Sequence, residues 1–223
     1  MPLDGLFLHF LSEELNEEMS GFKINKIYQP SFNEILIQAR GKNSTGLIVS
    51  KELYLSCNLD KPKIYITTKK HTNPDTPLNF TMLLRKYIDR GVIKSFKQFN
   101  NDRILMINIE SSNELGDSKE FIIIFELMGR NSNIILADDK FQIIDAIRKF
   151  VPSDSNTRTI IPKAIYEFPI QNARINPFTV TSLENKEYHL LEGCAKIFQN
   201  ELEEQGVINI KEYLDKQIFP TLY

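Results

Sequence analysis

Two short polar stretches hold the side chains of this chain best suited to recognition chemistry: Asn101-Asp102-Arg103 and Met128-Gly129-Arg130-Asn131-Ser132-Asn133. Arg103 and Arg130 offer planar, permanently charged forks that match a phosphate or the edge of a guanine. Asp102 does the opposite, since its carboxylate repels phosphate. In a binding site it either orients Arg103 or accepts a hydrogen bond from a base amino or ribose hydroxyl group. Asn131 and Asn133 can both donate and accept. Read locally, the same residues also make ordinary turns, because Asn and Asp side chains bond nearby backbone and tolerate unusual dihedrals. Residue types and spacing leave both readings open.

A third group, Arg85, Lys86 and Arg90, belongs to a basic stretch. Residues 61–103 contain ten Lys or Arg against three acids, whereas residues 104–145 contain three bases against eight acids. On a predicted helix Arg85 and Lys86 fall on adjacent faces, with Arg90 one turn beyond Lys86. Either these charges gather on one face and attract phosphates, or they are spread over several faces and only keep the chain in solution. The net charge of −2 does not choose between the two.

Other chemistry lacks its parts. Gly41-Lys42-Asn43-Ser44 is no phosphate loop, because position 36 is Leu and the Lys is followed by Asn; it reads as a hairpin turn. His9, His71 and His189 have no metal-ligand spacing, and Cys57 and Cys194 match neither a metal site nor a nucleophile signature. Asp138 and Asp139 sit in a predicted hairpin turn before Lys140 and need no catalytic explanation. The expectation is therefore no catalytic residue, no metal and no cofactor.

The elements that position these residues follow from periodicity. Asp4 is placed to cap a helix whose Leu6, Phe7, Phe10, Leu11, Leu15 and Met19 form one stripe, with Gly21 just beyond. Short strands are predicted at 24–28, 34–40, 46–50, 53–57 and 63–67, then a helix over 78–89 ended by Gly91. Ile104, Met106, Ile107 and Ile109, then residues 122–127 and 134–136, read as three further paired strands. Residues 151–169 read as irregular chain wrapping the sheet edge, 171–182 as a linker, and 183 onward as helical. Closely spaced strands imply antiparallel pairing, hence an α+β domain of two layers with flanking helices. With 42% hydrophobic and 25% charged residues, the chain can bury a sizeable core. Two cysteines, no visible signal peptide and no long apolar run lead us to expect a cytoplasmic protein.

The wording of the central strands adds a resemblance. Asn101-Asp102-Arg103-Ile104, Asn113-Glu114-Leu115-Gly116-Asp117 and the run from Glu126-Leu127-Met128-Gly129-Arg130 to Ile135-Leu136 resemble the N-terminal region of the NFACT family. Leu3-Asp4-Gly5-Leu6-Phe7, Ile24-Asn25-Lys26-Ile27-Tyr28-Gln29-Pro30 and Met82-Leu83-Leu84-Arg85-Lys86 extend it upstream, in order. The resemblance covers about residues 1–170 and fades beyond 176. It implies an N-terminal domain at 1–175, similar in fold to the N-terminal domain of formamidopyrimidine-DNA glycosylases. Residues 176–223, through Leu190-Leu191-Glu192-Gly193-Cys194-Ala195, would begin a helix-hairpin-helix module, so the chain would be a fragment of a longer protein. Those glycosylases use an N-terminal Pro followed by Glu; here Pro2 is followed by Leu3, which leaves a nucleophile without its proton-transfer partner.

Functionally, the resemblance implies RNA binding in ribosome-associated quality control. The partners would be the large ribosomal subunit with a stalled peptidyl-tRNA, and a charged tRNA recruited for template-independent tailing, with alanine in the bacterial family. It gives Asp102 and Arg103 the role of tRNA contacts. Their place in the neighbouring turn makes Arg130, Asn131 and Asn133 further candidates, and the basic stretch makes Arg85, Lys86 and Arg90 candidates for phosphate contact. The rival expectation, carried by an older family name, is a surface adhesin that binds fibronectin.

Overall fold

A computed structural model of the chain describes residues 4–112, 117–152, 158–170, 174–183 and 187–216. Pro2, Leu3, the Asn113–Gly116 motif, the start of the expected linker at 171–173 and the last residues of the expected module lie outside them.

The first helix, α1 (Gly5–Met19), begins where the sequence places its cap: Asp4 Oδ1 accepts from Phe7 N at 2.8 Å. Leu8, Leu11, Leu15 and Met19 recur at three- and four-residue intervals and are buried. The helix stops because Ser20 turns extended and Gly21 takes φ +82°, a conformation glycine adopts without steric penalty.

Nine strands follow: β1 (Lys23–Tyr28), β2 (Glu34–Lys42), β3 (Ile48–Ser56), β4 (Lys63–Thr67), β5 (Val92–Gln98), β6 (Ile104–Ser112), β7 (Ser118–Glu126), β8 (Asn133–Asp138) and β9 (Ile143–Ala146). They form one antiparallel sheet in the order β4-β3-β2-β1-β5-β6-β7-β8-β9. Its two halves meet at a narrow seam, where β1 and β5 share the Lys23↔Val92 position and the flanking bonds Ile24 N to Gly91 O (2.8 Å) and Ile93 N to Phe22 O (2.9 Å). The α+β architecture is thus the expected one. The strands predicted at 46–50 and 53–57 are one strand, however. Ser50, Lys51 and Glu52 stay in register with Arg40, Ala39 and Gln38, so the polar interval is a solvated stretch of β3 and not a turn. The hairpin turn is supplied instead by Asn43, whose Oδ1 accepts from the Thr45 and Leu47 amides.

The second helix, α2 (Asn79–Ile88), and α1 cover one face of both halves. Leu84 and Ile88 join Leu15 and Met19 against Ile27, Ile37, Leu53, Ile107, Ile123 and Phe125 in a shared core. The opposite face of β6–β9 is closed by residues from 141–168, with Ile122, Ile124 and Ile135 packed against Ile160 and Tyr166. Because both faces of β7 are covered, residues 121–126 are buried without alternation. Fully burying each such Ile or Phe contributes roughly 1.5–3 kcal/mol.

Arg148 fastens the halves together at the end away from the seam. Its guanidinium donates to Cys57 O (2.9 Å), Ser132 O and Asn33 Oδ1 (2.7 Å), while its backbone is held by Asn133.

Residues 174–216 close on a third, smaller core. Two helices, α3 (Lys196–Glu204) and α4 (Ile210–Lys216), bring Leu202, Ile210 and Leu214 against Tyr188, Leu191, Cys194 and Leu6 of α1. Gly193 makes the junction. Its carbonyl accepts from the Gly5 and Leu6 amides, and a Cβ at Gly193 would lie 2.3 Å from Asn101 O. Asp4 serves both pieces, with Oδ1 capping α1 and Oδ2 accepting from Ala195 N at the start of α3 (3.1 Å). The close approach that Gly193 permits is therefore used by the protein's own backbone. No helix among the described residues is long and apolar enough to cross a membrane.

Candidate nucleic-acid interface

Antiparallel pairing brings the two polar stretches of the sequence together. Ile104 at the start of β6 pairs with Glu126 at the end of β7, and the Leu127 amide donates to Arg103 O at 2.9 Å. The β5–β6 turn with Asp102 and Arg103 and the β7–β8 turn with Arg130 and Asn131 consequently emerge side by side from one end of the sheet. The second turn is a short 3-10 segment (Gly129–Asn131), and Gly129 takes φ +57° there. Arg103, Arg130 and Asn131 are exposed. The Arg103 side chain has no hydrogen-bond or ion-pair partner among the described residues, so its guanidinium is available to a ligand.

Asp102 is held more firmly. Its Oδ1 accepts from the Arg103 amide at 2.7 Å, its own amide donates to Phe99 O at 3.1 Å, and its carbonyl accepts from Gln98 Nε2 at 2.8 Å. Gln98 Nε2 also donates to Gly5 O at 2.7 Å, which ties this turn to the start of α1. Asn100 sits in the left-handed region with φ +48°, a conformation Asn tolerates and most side chains avoid. Beneath the two turns lies a buried polar cluster. Glu126, with no exposed surface, accepts from Tyr166 Oη at 2.7 Å and from Arg158 Nη2. Burial, and then the charge of Glu126, pushes the Tyr166 phenol far above its ordinary value and keeps it a donor.

The other expected contacts are placed elsewhere. Asn133 is fully buried; its amide donates to Arg148 O at 2.8 Å and its Oδ1 accepts from Arg148 N at 3.0 Å and Ile134 N at 3.0 Å. It shapes the clasp and presents nothing to a ligand. Arg85 is also committed inward, because Nε and Nη2 both donate to Ile27 O, at 2.9 and 2.6 Å. Lys86 and Arg90 are exposed, but Arg90 precedes β5 while Asp102 follows it. At ~3.3 Å per residue the seven-residue β5 separates them by about 20 Å. The basic helix and the Asp102-Arg103 turn are thus two regions.

Several neighbours carried no local signal in the sequence. Gln98, Tyr166 and Arg158 reach the turns only through long-range packing, and Glu126 reads as one more residue of a strand. Among the described residues no group of three His, Cys, Asp or Glu could hold a metal.

Comparison with known proteins bears on this arrangement. The model of the NFACT N-terminal and middle domains matches residues 4–214. The chain belongs to the NFACT family. It is similar to the Rqc2 homolog RqcH of Streptococcus suis, 33% identical over 241 aligned positions that take in 100% of this chain and 42% of that protein. It is also similar to the Rqc2 homolog RqcH of Bacillus subtilis, 38% identical over 79% of this chain and 30% of that protein. This NFACT chain therefore spans less than half the length of these relatives. Among solved structures it resembles the N-terminal part of the fibronectin/fibrinogen-binding protein of Streptococcus suis, with TM-score 0.87 and 32% identity over 98% of this chain and 86% of that one. The N-terminal domain of fibronectin-binding protein PavA from Streptococcus pneumoniae gives TM-score 0.83 and 33% identity over 96% of this chain and 82% of that one.

Proposed function

We propose that this NFACT region is an RNA-gripping part of a ribosome-associated quality-control protein and that it acts by binding, not catalysis. In this reading the whole protein engages the large ribosomal subunit with a stalled peptidyl-tRNA. It recruits charged tRNA, alanyl-tRNA in the first instance, for template-independent tailing of the nascent chain. The observation that supports it is the pair of adjacent turns, which presents Arg103, its side chain without a partner among the described residues, and an exposed Arg130 beside an Asp102 fixed by its own backbone bonds. Kinship with two Rqc2 homologs gives the ribosomal setting.

The two turn residues should fail differently. Arg103→Ala removes charge and grip and weakens binding to many RNAs. Asp102→Asn keeps the shape and removes a charge that repels phosphate, so a pure backbone binder would bind slightly tighter. A residue that reads a donor or aligns Arg103 instead loses affinity for the correct tRNA more than for others. The measurement is affinity of both variants for cognate and non-cognate tRNA at fixed salt, with thermal melts to confirm folding. Wild-type affinity in both folded variants sinks the assignment.

A second reading, a fibronectin-binding adhesin, has in its favour the descriptions of the solved relatives as fibronectin- or fibrinogen-binding proteins. Capture on immobilised fibronectin from intact cells, and not only from lysate, is its expected outcome.

A further inference from the structure

Beside the Asp102-Arg103 turn, on its α1 side, lies an open cleft of about 700 Å³, within the ~300–1,000 Å³ typical of ligand sites. Three parts of the chain wall it: α1, the end of β5 with its turn, and the residues Arg174, Asn176, Phe178 and Glu192. Its chemistry is divided. Lys97 and Arg174 are exposed, line the cleft and have no ion-pair partner among the described residues, so two positive charges face it against the single carboxylate of Glu192. His9 and Phe178 form an aromatic step, stacked with ring centroids 3.9 Å apart and planes at 28°. Asn101 and Glu192, joined by a 2.8 Å hydrogen bond, supply polar edges in the same cleft.

We propose that this cleft holds one unstacked nucleotide of single-stranded RNA, next to the contacts of Asp102 and Arg103. Lys97 and Arg174 take its phosphates, the His9–Phe178 step takes the face of its base, and the Glu192 carboxylate accepts from a base amino group. Each assignment follows from chemistry. Unpaired cations attract phosphate, every base has a π-face that stacks on an aromatic ring, and a carboxylate suits a base donor and rejects a phosphate. A duplex cannot use the cleft, because its base faces are already stacked. The mixed polar lining also disfavours an apolar ligand. The inference rests on the RNA-binding reading of the neighbouring turn but names different residues.

The test uses the 223-residue chain and a fluorescein-labelled seven-nucleotide single-stranded RNA, alone and annealed to its complement. Lys97→Ala and Arg174→Ala are surface changes that leave the small core intact. Each is expected to weaken the single strand ~5- to 10-fold and the duplex by less than 2-fold. Phe178→Ala is expected to weaken it ~10-fold and to remove the fluorescence change of a 2-aminopurine placed in the strand. Wild-type affinity in Lys97→Ala and Arg174→Ala overturns the cleft assignment, as does equal weakening of single strand and duplex. Arg103→Ala, measured alongside, separates the two claims. If Arg103→Ala alone weakens RNA, the turn stands and the cleft falls; if Lys97→Ala and Arg174→Ala alone do so, the cleft stands and the turn falls.

Discussion

Arg148 shows how much of this fold hangs on single polar side chains. One guanidinium bonds backbone after β3, backbone before β8 and the Asn33 side chain before β2, so it joins the paired β2–β3 end to the start of β8, which no strand pairing connects to it. Hydrogen bonds to a charged group contribute about 1.5–3 kcal/mol each, and truncation also leaves buried carbonyls unpaired. Arg148→Ala is therefore expected to destabilise the chain by about 3 kcal/mol in urea denaturation. Arg148→Lys should rescue little, since an ammonium on a flexible stem cannot span three acceptors held in fork geometry. Full stability in Arg148→Lys would mean that charge, not geometry, is what matters there. None of this was legible locally: nothing in the sequence singles out Arg148, and Asn133 reads as one more Asn in the turn with Arg130 and Asn131. Asp102, Arg103, Arg130 and Asn131 could be picked out because their types suit recognition and their places next to strand ends follow from the apolar runs. Asn133 could not be told from Asn131, because only the tertiary clasp buries one and exposes the other.

The elements were legible wherever one face is wet and the other dry. The stripe of α1 and its Asp4 cap state the first helix outright, and the apolar runs of β6–β8 state the central strands. Strand order was not legible, because register at the seam and the pairing of β1 with β5 depend on contacts between residues about seventy positions apart. For α2 this had a consequence. Its cations looked like companions of Asp102-Arg103 in a single basic stretch, and the intervening β5 parts them. An RNA that touches only the turns should therefore ignore Lys86 and Arg90, while a full tRNA can reach both regions. The expected outcome is that Lys86→Ala and Arg90→Ala leave the affinity of a short stem-loop within about 2-fold. For tRNA each should lower the slope of log K against log salt by about 1 for each phosphate the side chain neutralises. Unchanged slopes with tRNA return both residues to the role of solvated surface.

At the scale of the molecule, the small C-terminal core is attached to the large one through α1 and the turn that carries Asn101. Leu6 belongs to the small core while Leu8 and Leu11 belong to the large one, so the first helix is shared. The change from strand to helical periodicity near residue 176 predicts a boundary, but not that the second piece docks on Asp4, Gly5 and Asn101, because those bonds join residues about 90 to 190 positions apart. Limited proteolysis is expected to nick first between residues 170 and 182 and to leave a folded N-terminal piece. The two cysteines report on the same question. Cys57 lies in the large core and Cys194 in the small one; burial pushes their thiols up from 9.0, to about 11 and about 12. Folded-state values above the unfolded value mean that the native chain holds its protons longer. This part of its stability is complete below about pH 9 and is lost as pH rises through 11 to 12. At pH 8 neither thiol should react in the closed state, so iodoacetamide labelling reads opening. If residues 174–216 undock as a unit, Cys194 is labelled in native buffer well before Cys57, and the RNA affinity that depends on Arg174 falls with it. Labelling of both thiols at one rate, equal to global unfolding, would show that the two cores open as one body and that the cleft between them has no separate motion.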